Sequence, residues 1–161
     1  MFKLFNKKVS IMAPVTGRCV DLSHVPDEVF SQKMIGDGVA IIPSDGLFVA
    51  PADGELTMLF PTGHSYGMKI GQNIEILVHI GIDTVELNGE GFELLAEQGQ
   101  QVKAGTPIVR VDLDFLNARG YKTITPIILT SPSPEDGETN LKAVYDRDVL
   151  ALKDLLFTVT L

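Results

Sequence analysis

The sequence predicts an all-β fold: an antiparallel β-sandwich of Greek-key or jelly-roll type with a few short helical turns. Short runs rich in valine, isoleucine, leucine, phenylalanine and threonine alternate with turn sequences such as SDG at 44–46, PADG at 51–54 and SPSPEDGE at 131–138. Helical periodicity is scarce. The length of 161 residues suits one domain, which we place at 9–161 after a basic, apolar tail at 1–8.

Each predicted strand combines branched or aromatic apolar side chains with a turn residue at one end. In chain order the predicted strands are 9–12, 17–22, 39–42, 47–50, 55–60, 64–70, 74–82, 107–112, 123–130 and 155–161. Residues 91–98 and 112–119 are each predicted to form a helical turn or two, and 144–154 a third helical segment.

A weak internal repeat suggests that the fold contains a duplicated motif. The segments IMAPVTGRCVDL at 11–22 and FVAPADGELTML at 48–59 share Ala-Pro-x-x-Gly at the same position. We therefore expect two strand–turn–strand units of similar build to pack against each other.

Composition excludes some functions and favours others. The formal net charge is −8 and the pI is about 4.7, whereas nucleic-acid binding needs a basic face. An acidic protein of this kind suits a basic protein partner that is attracted by long-range charge.

Cysteine usage and hydropathy predict where the protein resides. Cys19 is the only cysteine, so it has no partner for an internal disulfide and indicates a reducing, cytoplasmic compartment. No run approaches the roughly 18 apolar residues of a membrane-spanning helix. The tail MFKLFNKK at 1–8 mixes apolar and basic side chains, and we expect from it a weak association with the inner face of the membrane.

Two of the three histidines, His64 and His79, are predicted to face each other across a hairpin. In IEILVHIGI at 74–82 the even positions are all isoleucine or valine and face the core, so His79 points to the other side. Gly71-Gln72 is predicted to be a two-residue loop, which sets His64 directly opposite His79. Directly opposed Cβ atoms lie roughly 4.5–5.5 Å apart.

The face that carries the two histidines is predicted to be a docking surface. Tyr66, Met68 and Leu77 are expected on the same water-facing side, which gives apolar area next to two titratable rings. Such a patch, when exposed, is typical of a surface that binds another protein. A second layer of core residues covering the face is the alternative.

Two opposed imidazoles can transfer a phosphoryl group. A neutral ring nitrogen is available near pH 7 and can attack phosphorus, while the second ring donates a hydrogen bond to the phosphoryl oxygens. Thr62 is placed to fix the tautomer of His64. Asp83 would bring a carboxylate near the site and promote onward transfer by repelling the phosphoryl group.

Three other functions remain open on these residues. Zinc hydrolysis could use His64, His79 and Asp83, although two histidines alone are half of a tetrahedral zinc site. A lipoyl- or biotinyl-type carrier would need a lysine such as Lys69 at a hairpin tip, where Gly71-Gln72 is predicted instead. A non-catalytic interaction module is the third alternative.

Several stretches resemble the glucose-type IIA domains of the bacterial phosphoenolpyruvate-dependent sugar phosphotransferase system. They are VPDEVF at 25–30, MIGDGVA at 34–40, Ala50-Pro51, Thr62 with His64, and HIGIDTVELNGEGF at 79–92. The resemblance extends from about residue 11 to residue 130. It implies a β-sandwich with a shallow depression, in which His79 accepts a phosphoryl group through Nε2, His64 assists its onward transfer and Thr62 orients His64.

The resemblance also implies partners. The donor would be the small phosphocarrier protein HPr, and the acceptor a cysteine on the IIB domain of a sugar permease; other regulatory targets are possible. No cofactor is required, and zinc would bind His64 and His79 only when a partner shares it. The apolar ring around the site would comprise Val29, Phe30, Met34, Ile35, Phe60, Leu77 and Val85, with Asp27 and Asp83 on its acidic rim.

Overall fold

Antiparallel pairing of short strands organises the described part of the chain, which in this computed structural model comprises residues 7–133 and 140–161. The strands are β1 (Lys8–Met12), β2 (Gly17–Val20), β3 (Asp37–Pro43), β4 (Leu47–Val49), β5 (Gly54–Leu59), β6 (Ser65–Ile70), β7 (Ile74–His79), β8 (Phe92–Leu94), β9 (Gln101–Val102), β10 (Pro107–Val111), β11 (Thr125–Ser131), β12 (Asn140–Ala143), β13 (Arg147–Val149) and β14 (Leu155–Thr160). Two short α-helices, α1 (Glu28–Ser31) and α2 (Leu113–Ala118), and two 3₁₀ turns, Leu22–His24 and Thr84–Leu87, complete the described elements.

The strands form one large sheet and two small ones. The large sheet has the order β13-β2-β3-β11-β7-β6-β5-β9, and the small sheets have the orders β1-β14-β12 and β4-β10-β8. All these strand pairs are antiparallel. The predicted all-β, antiparallel fold with few helical turns is confirmed.

The helix predictions are only partly correct. Residues 112–119 contain α2, as predicted, and the Asp112 carboxylate caps this helix by accepting from the Phe115 N–H. Residues 91–98 instead contain β8, which pairs with β10, and 144–154 contains β13, which pairs with β2. Pairing with a neighbouring strand satisfies the backbone of these short segments, so tertiary context overrides their local helical character.

The two segments of the internal repeat bind each other through two equivalent backbone hydrogen bonds. The Met12 N–H donates to the Pro51 carbonyl at 2.9 Å, and the Val49 N–H donates to the Pro14 carbonyl at 2.8 Å. The two Ala-Pro units therefore lie antiparallel and bind each other at equivalent positions. This is the packing expected of a duplicated strand–turn–strand motif.

Two apolar clusters are buried on opposite sides of the large sheet. The larger cluster joins the inner face of this sheet to both small sheets. The smaller cluster lies under the segment that carries α1; it includes Phe30, Ile82 and Ile128, with Leu77 packed at its edge. The second layer that the sequence left open as an alternative thus covers part of the outer face, and it ends beside His79.

Parts of two predictions fall outside the described ranges. Of the tail at 1–8, residues 1–6 lie outside them, and Lys8 already begins β1. Most of the predicted turn at 131–138 also lies outside them. Within the described ranges, no helix has both the length and the apolar character needed to cross a bilayer.

Candidate active site

His79 is the last residue of β7, on the outer side of the large sheet. Ile74, Ile76 and Val78 are each at most 2% exposed and face the core, whereas Leu77 and His79 are partly exposed on the other side. The predicted alternation of this strand is confirmed. The His79 ring therefore lies at the surface, at the end of the strand.

The hairpin between β6 and β7 differs from the prediction by one residue. Its loop has three residues, Gly71 to Asn73, and Gly71 adopts the left-handed backbone at φ 63°. Ser65, rather than His64, is therefore the residue directly opposite His79. Sequence alternation does not define the number of loop residues, so the predicted register was wrong.

The register shift also changes which side chains share the face of His79. Tyr66 and Met68 are 0% and 1% exposed and pair with the core-facing residues of β7. Their predicted place beside His79 is therefore wrong, because a one-residue shift moves every side chain of a strand to the other face. Leu77 does lie on the face of His79, as predicted.

The two histidines nevertheless meet. Their ring centroids are 5.3 Å apart and the ring planes are inclined by 80°. His64 precedes β6 and follows Gly63, whose φ is 74°. Because His64 lies outside the strand, the direction of its side chain does not follow the alternation of β6. Phe60 packs against His64 at 5.0 Å and Phe30 against His79 at 5.1 Å, so four rings lie in a row.

A backbone carbonyl fixes the orientation of His79. The Nδ1 atom lies 2.8 Å from the Gly81 carbonyl oxygen, and since a carbonyl only accepts, Nδ1 carries the proton. In the neutral ring, Nε2 then holds a free lone pair. Gly81 has φ 75°, and a Cβ there would lie 2.7 Å from Thr84 Cγ2 and 2.8 Å from the Lys122 carbonyl oxygen.

His64 is held more deeply than the sequence predicted. Its Nδ1 lies 2.5 Å from the Thr62 hydroxyl oxygen, and the residue is only 3% exposed. The expectation that both rings face water is therefore correct for His79 and wrong for His64, which lies beneath Phe60. His64 still lines the same depression as His79.

Both histidines favour the neutral form. Burial lowers the pKa of His64 from 6.5 to about 4, and the neighbouring His79 contributes to the shift. Burial also lowers the pKa of His79, although the hydrogen bond to Gly81 and the carboxylates of Asp27 and Asp83 oppose that shift. The pair therefore has nucleophilic and hydrogen-bonding nitrogens without a ring charge near pH 7.

The rings open into a shallow depression of about 490 Å³ that is largely apolar. Phe30, Ile35, Phe60 and Leu77, all predicted for the docking face, line it. Three other residues predicted for that face are exposed and are not part of the lining of the depression: Val29, Met34 and Val85. Phe30 itself is only 5% exposed, so it supports His79 more than it offers a surface of its own.

The predicted acidic residues are electrostatic neighbours of His79. Asp27 caps α1, its carboxylate accepting from the Val29 N–H at 3.0 Å. Asp83 has a left-handed backbone at φ 60° at the start of the Thr84–Leu87 turn and is exposed. Both carboxylates act electrostatically on His79, in agreement with the predicted carboxylate near this site.

The structure weakens the alternatives considered from sequence. Among the described residues there is no group of three or more His, Cys, Asp or Glu side chains arranged to hold a metal. His64 and His79 thus supply half of a tetrahedral set. Lys69 lies within β6, away from the Gly71–Asn73 tip where a swinging-arm carrier would need it.

Two residues of the site were missed from sequence. The alternation of 74–82 treats Gly81 as a strand position, whereas a glycine directly after an alternating strand is a signal for a left-handed turn. The predicted register places His64 opposite His79, in the position that Ser65 occupies in the structure.

The fold and the site together define a class of protein: a β-sandwich that presents two neutral imidazoles, one buried and one accessible, at an apolar surface suited to protein partners. Residues 9–134 match the family model described as phosphoenolpyruvate-dependent sugar phosphotransferase system, EIIA 1. The chain therefore belongs to this EIIA family, whose members take part in phosphoryl transfer, and the predicted carrier function is confirmed at that level.

Individual relatives agree with this assignment. The glucose-specific EIIA component of Staphylococcus epidermidis is 45% identical over 129 residues, which cover 80% of this chain and 78% of that protein. The glucosamine-specific EIICBA component of Bacillus subtilis is 51% identical over 123 residues, 76% of this chain. The solved structure of glucose permease IIA from Mycoplasma capricolum is 39% identical, with a TM-score of 0.86 over 98% of this chain and 99% of that one.

The matched relatives differ in length. This chain spans about a fifth of the EIICBA relatives, including the glucose-specific protein of Staphylococcus saprophyticus, of which it covers 20%. The match to the Mycoplasma IIA structure covers almost all of both chains, including the C-terminal strands for which the family model gives no match.

Proposed function

We propose that this chain accepts a phosphoryl group from phospho-HPr on Nε2 of His79 and passes it to a cysteine on the IIB domain of a sugar permease. The observation that carries the proposal is the hydrogen bond between His79 Nδ1 and the Gly81 carbonyl, because it leaves the free lone pair on the outward nitrogen. Family membership supports phosphoryl transfer as the chemistry.

The transfer needs no proton to leave His79. The Nε2 lone pair forms the new N–P bond while the bond between phosphorus and the donor breaks, and Nδ1 keeps its proton against Gly81. The Gly81 carbonyl dipole also stabilises the positive charge that the ring gains on phosphorylation.

His64 is assigned the assisting role. With the Thr62 hydroxyl donating to Nδ1, the proton of the neutral His64 ring lies on Nε2, and that N–H can donate to a phosphoryl oxygen on the neighbouring ring. Thr62 is thus the positioning residue for His64. Zinc at the two Nε2 atoms would require further ligands from a partner.

The docking face fits both partners. Ile35 and Phe60 are exposed apolar side chains that line the depression, and Asp27 and Asp83 supply negative charge near His79 for a basic surface on HPr. We place the protein in the cytoplasm, where HPr and the IIB domain are both accessible to it. Residues 1–8 would give it a weak association with the membrane.

Phosphoryl transfer from phospho-HPr tests the assignment directly. The wild-type chain should gain one acid-labile phosphoryl group, mapped to His79 by mass spectrometry, and His79→Ala should gain none. His64→Ala should still accept the group, but its onward transfer to a IIB domain should be slower by about 100-fold or more, the cost of losing a preorganised donor.

His24 provides the matched control, since it is exposed and lies outside the depression. His24→Ala should behave as the wild type in both half-reactions. Phosphorylation of the His79→Ala chain, or labelling of another residue in the wild type, would contradict the proposal.

A further inference from the structure

Ser65 is a buried hydroxyl residue that the relay described above leaves unused. It is 2% exposed and begins β6, directly opposite His79. Opposed residues of an antiparallel pair project from the same face of the sheet. Gly67 and Leu77, which share that face, line the depression together with Ser65 and His79.

The type of strand pairing brings Ser65 close to the reactive ring. The Ile80 N–H donates to the His64 carbonyl at 2.7 Å, so residues 64 and 80 form a hydrogen-bonded pair. The next pair, Ser65 with His79, is then of the non-hydrogen-bonded type. In such pairs the Cα atoms are about 4.5 Å apart and the side chains are closer than in the other type.

The Ser65 hydroxyl has no hydrogen-bond partner among the residues that the structure describes. A buried hydroxyl without a partner is normally unfavourable, because it has lost its hydrogen bonds to water. However, no fully enclosed side-chain nitrogen or oxygen in the described ranges lacks a partner, so the Ser65 oxygen is not fully enclosed, and the residue lines the depression. The hydroxyl is therefore available to a group that enters it.

We propose that Ser65 is a catalytic residue whose hydroxyl donates a hydrogen bond to a phosphoryl oxygen on His79. The inference rests on the proposed function of His79. Ser65 keeps its proton and never carries the phosphoryl group; the only bond formed is N–P at His79, and the only bond broken is that between phosphorus and the donor. His64 approaches the group from the loop before β6, and Ser65 from β6 itself.

Removal of the hydroxyl should weaken retention of the phosphoryl group. For Ser65→Ala and for Ser65→Cys, which keeps a side chain but donates poorly, the equilibrium constant for phosphoryl exchange with HPr should fall by about tenfold to 100-fold. The ³¹P chemical shift of phospho-His79 should also change, because the donor contacts a phosphoryl oxygen. Ser44→Ala, which removes an exposed hydroxyl from the loop between β3 and β4, should match the wild type.

The outcomes separate this inference from the relay itself. If the wild type is phosphorylated on His79 but Ser65→Ala and Ser65→Cys share the wild-type equilibrium constant and ³¹P shift, the role of Ser65 is refuted and the relay stands. If the wild type takes up no phosphoryl group, both are refuted. Thermal unfolding of each variant shows whether a loss reflects the fold, and a changed ³¹P shift in a variant as stable as the wild type supports the hydrogen bond.

Discussion

At the scale of single residues, His64 and His79 differ in what surrounds each ring. His64 lies between Phe60 and His79 with its Nδ1 against Thr62, whereas His79 keeps part of its surface open and binds a backbone carbonyl. Burial disfavours the imidazolium form of both residues, so desolvation favours the neutral imidazole in each. In the relay proposed above, the more buried ring, His64, assists and the more accessible ring, His79, reacts.

The lowered pKa of His64 predicts a loss of stability in acid. The folded chain holds its pKa near 4, whereas the unfolded chain has the ordinary value of 6.5. Between these values the unfolded state binds more protons, so the free energy of unfolding falls as the pH falls from about 6.5 towards 4, by up to roughly 3 kcal/mol from this group. Urea unfolding of the wild type and of His64→Gln across this range measures the effect.

The His64→Gln variant removes the titrating group and should show a shallower fall over the same window. Other groups titrate in both proteins, so the difference between the two curves isolates His64. A difference that stays constant from neutral pH down to about 4 would show that burial of this ring does not depress its pKa.

At the scale of elements, the turn after β7 determines how His79 is presented. Gly81 turns the chain at φ 75°, and the buried Thr84 hydroxyl donates to the Ile80 carbonyl at 2.5 Å. The Ile82 N–H donates to the Lys122 carbonyl at 3.0 Å, which ties the turn to the segment before β11. The acceptor for His79 Nδ1 is thus part of a locked backbone.

Gly81→Ala should disturb both stability and chemistry. An alanine would have to adopt a left-handed backbone, at a cost of about 1–2 kcal/mol, and its Cβ would clash with the Lys122 carbonyl oxygen. Movement of the Gly81 carbonyl would release His79, so we expect a rate of phosphoryl acceptance at least about tenfold lower. Denaturant unfolding and single-turnover transfer from phospho-HPr measure the two effects.

Gly71→Ala is the matched control, because Gly71 has a similar φ of 63° but no atom within 4 Å of an added Cβ. It should show the backbone cost alone and accept phosphoryl groups at the wild-type rate. Equal stability and equal rates for the two variants would remove the special role of the Gly81 turn.

The same hairpin shows how much of the structure the sequence can predict. Alternation in β7 correctly placed His79 on the outer face, since burial of one side imposes a period of two. Loop length depends on the backbone conformation of Gly71, which the pattern of side chains does not encode, so the register and the faces of Tyr66 and Met68 were wrong. Very short strands such as β9, with two residues, carry too little pattern to be predicted alone.

Other parts of the site were predictable for reasons that do not depend on register. The hydrogen bond between Thr62 and His64 joins residues two positions apart, so it does not depend on the register of the hairpin. The contact of Phe30 with His79, by contrast, joins elements about 50 positions apart in the chain. It depends on the small apolar cluster under α1, which no local sequence pattern reveals. The resemblance to IIA domains supplied what local physics could not.

At the scale of the whole molecule, the duplicated strand–turn–strand units and the large sheet support one apolar, acid-rimmed face. In the proposed docking of a basic partner, the net charge of −8 supplies a long-range attraction, and the exposed apolar side chains supply the contact in the bound complex. Rim charges therefore influence the association rate, whereas the apolar ring influences the lifetime of the complex.

Met34 and Val85, 65% and 49% exposed, test the apolar ring. Their simultaneous change to serine removes contact area without opening the core, so the free energy of unfolding should stay within about 0.5 kcal/mol of the wild type. In the proposed docking mode both side chains pack against HPr. A loss of about 1 kcal/mol for each would raise the KM for phospho-HPr by about tenfold or more, while kcat should change little. Leu150→Ser removes an apolar side chain of similar exposure, 50%, from the loop after β13 and should leave both constants unaltered. Equal KM values for the double variant, the Leu150 variant and the wild type would show that HPr docks on another face.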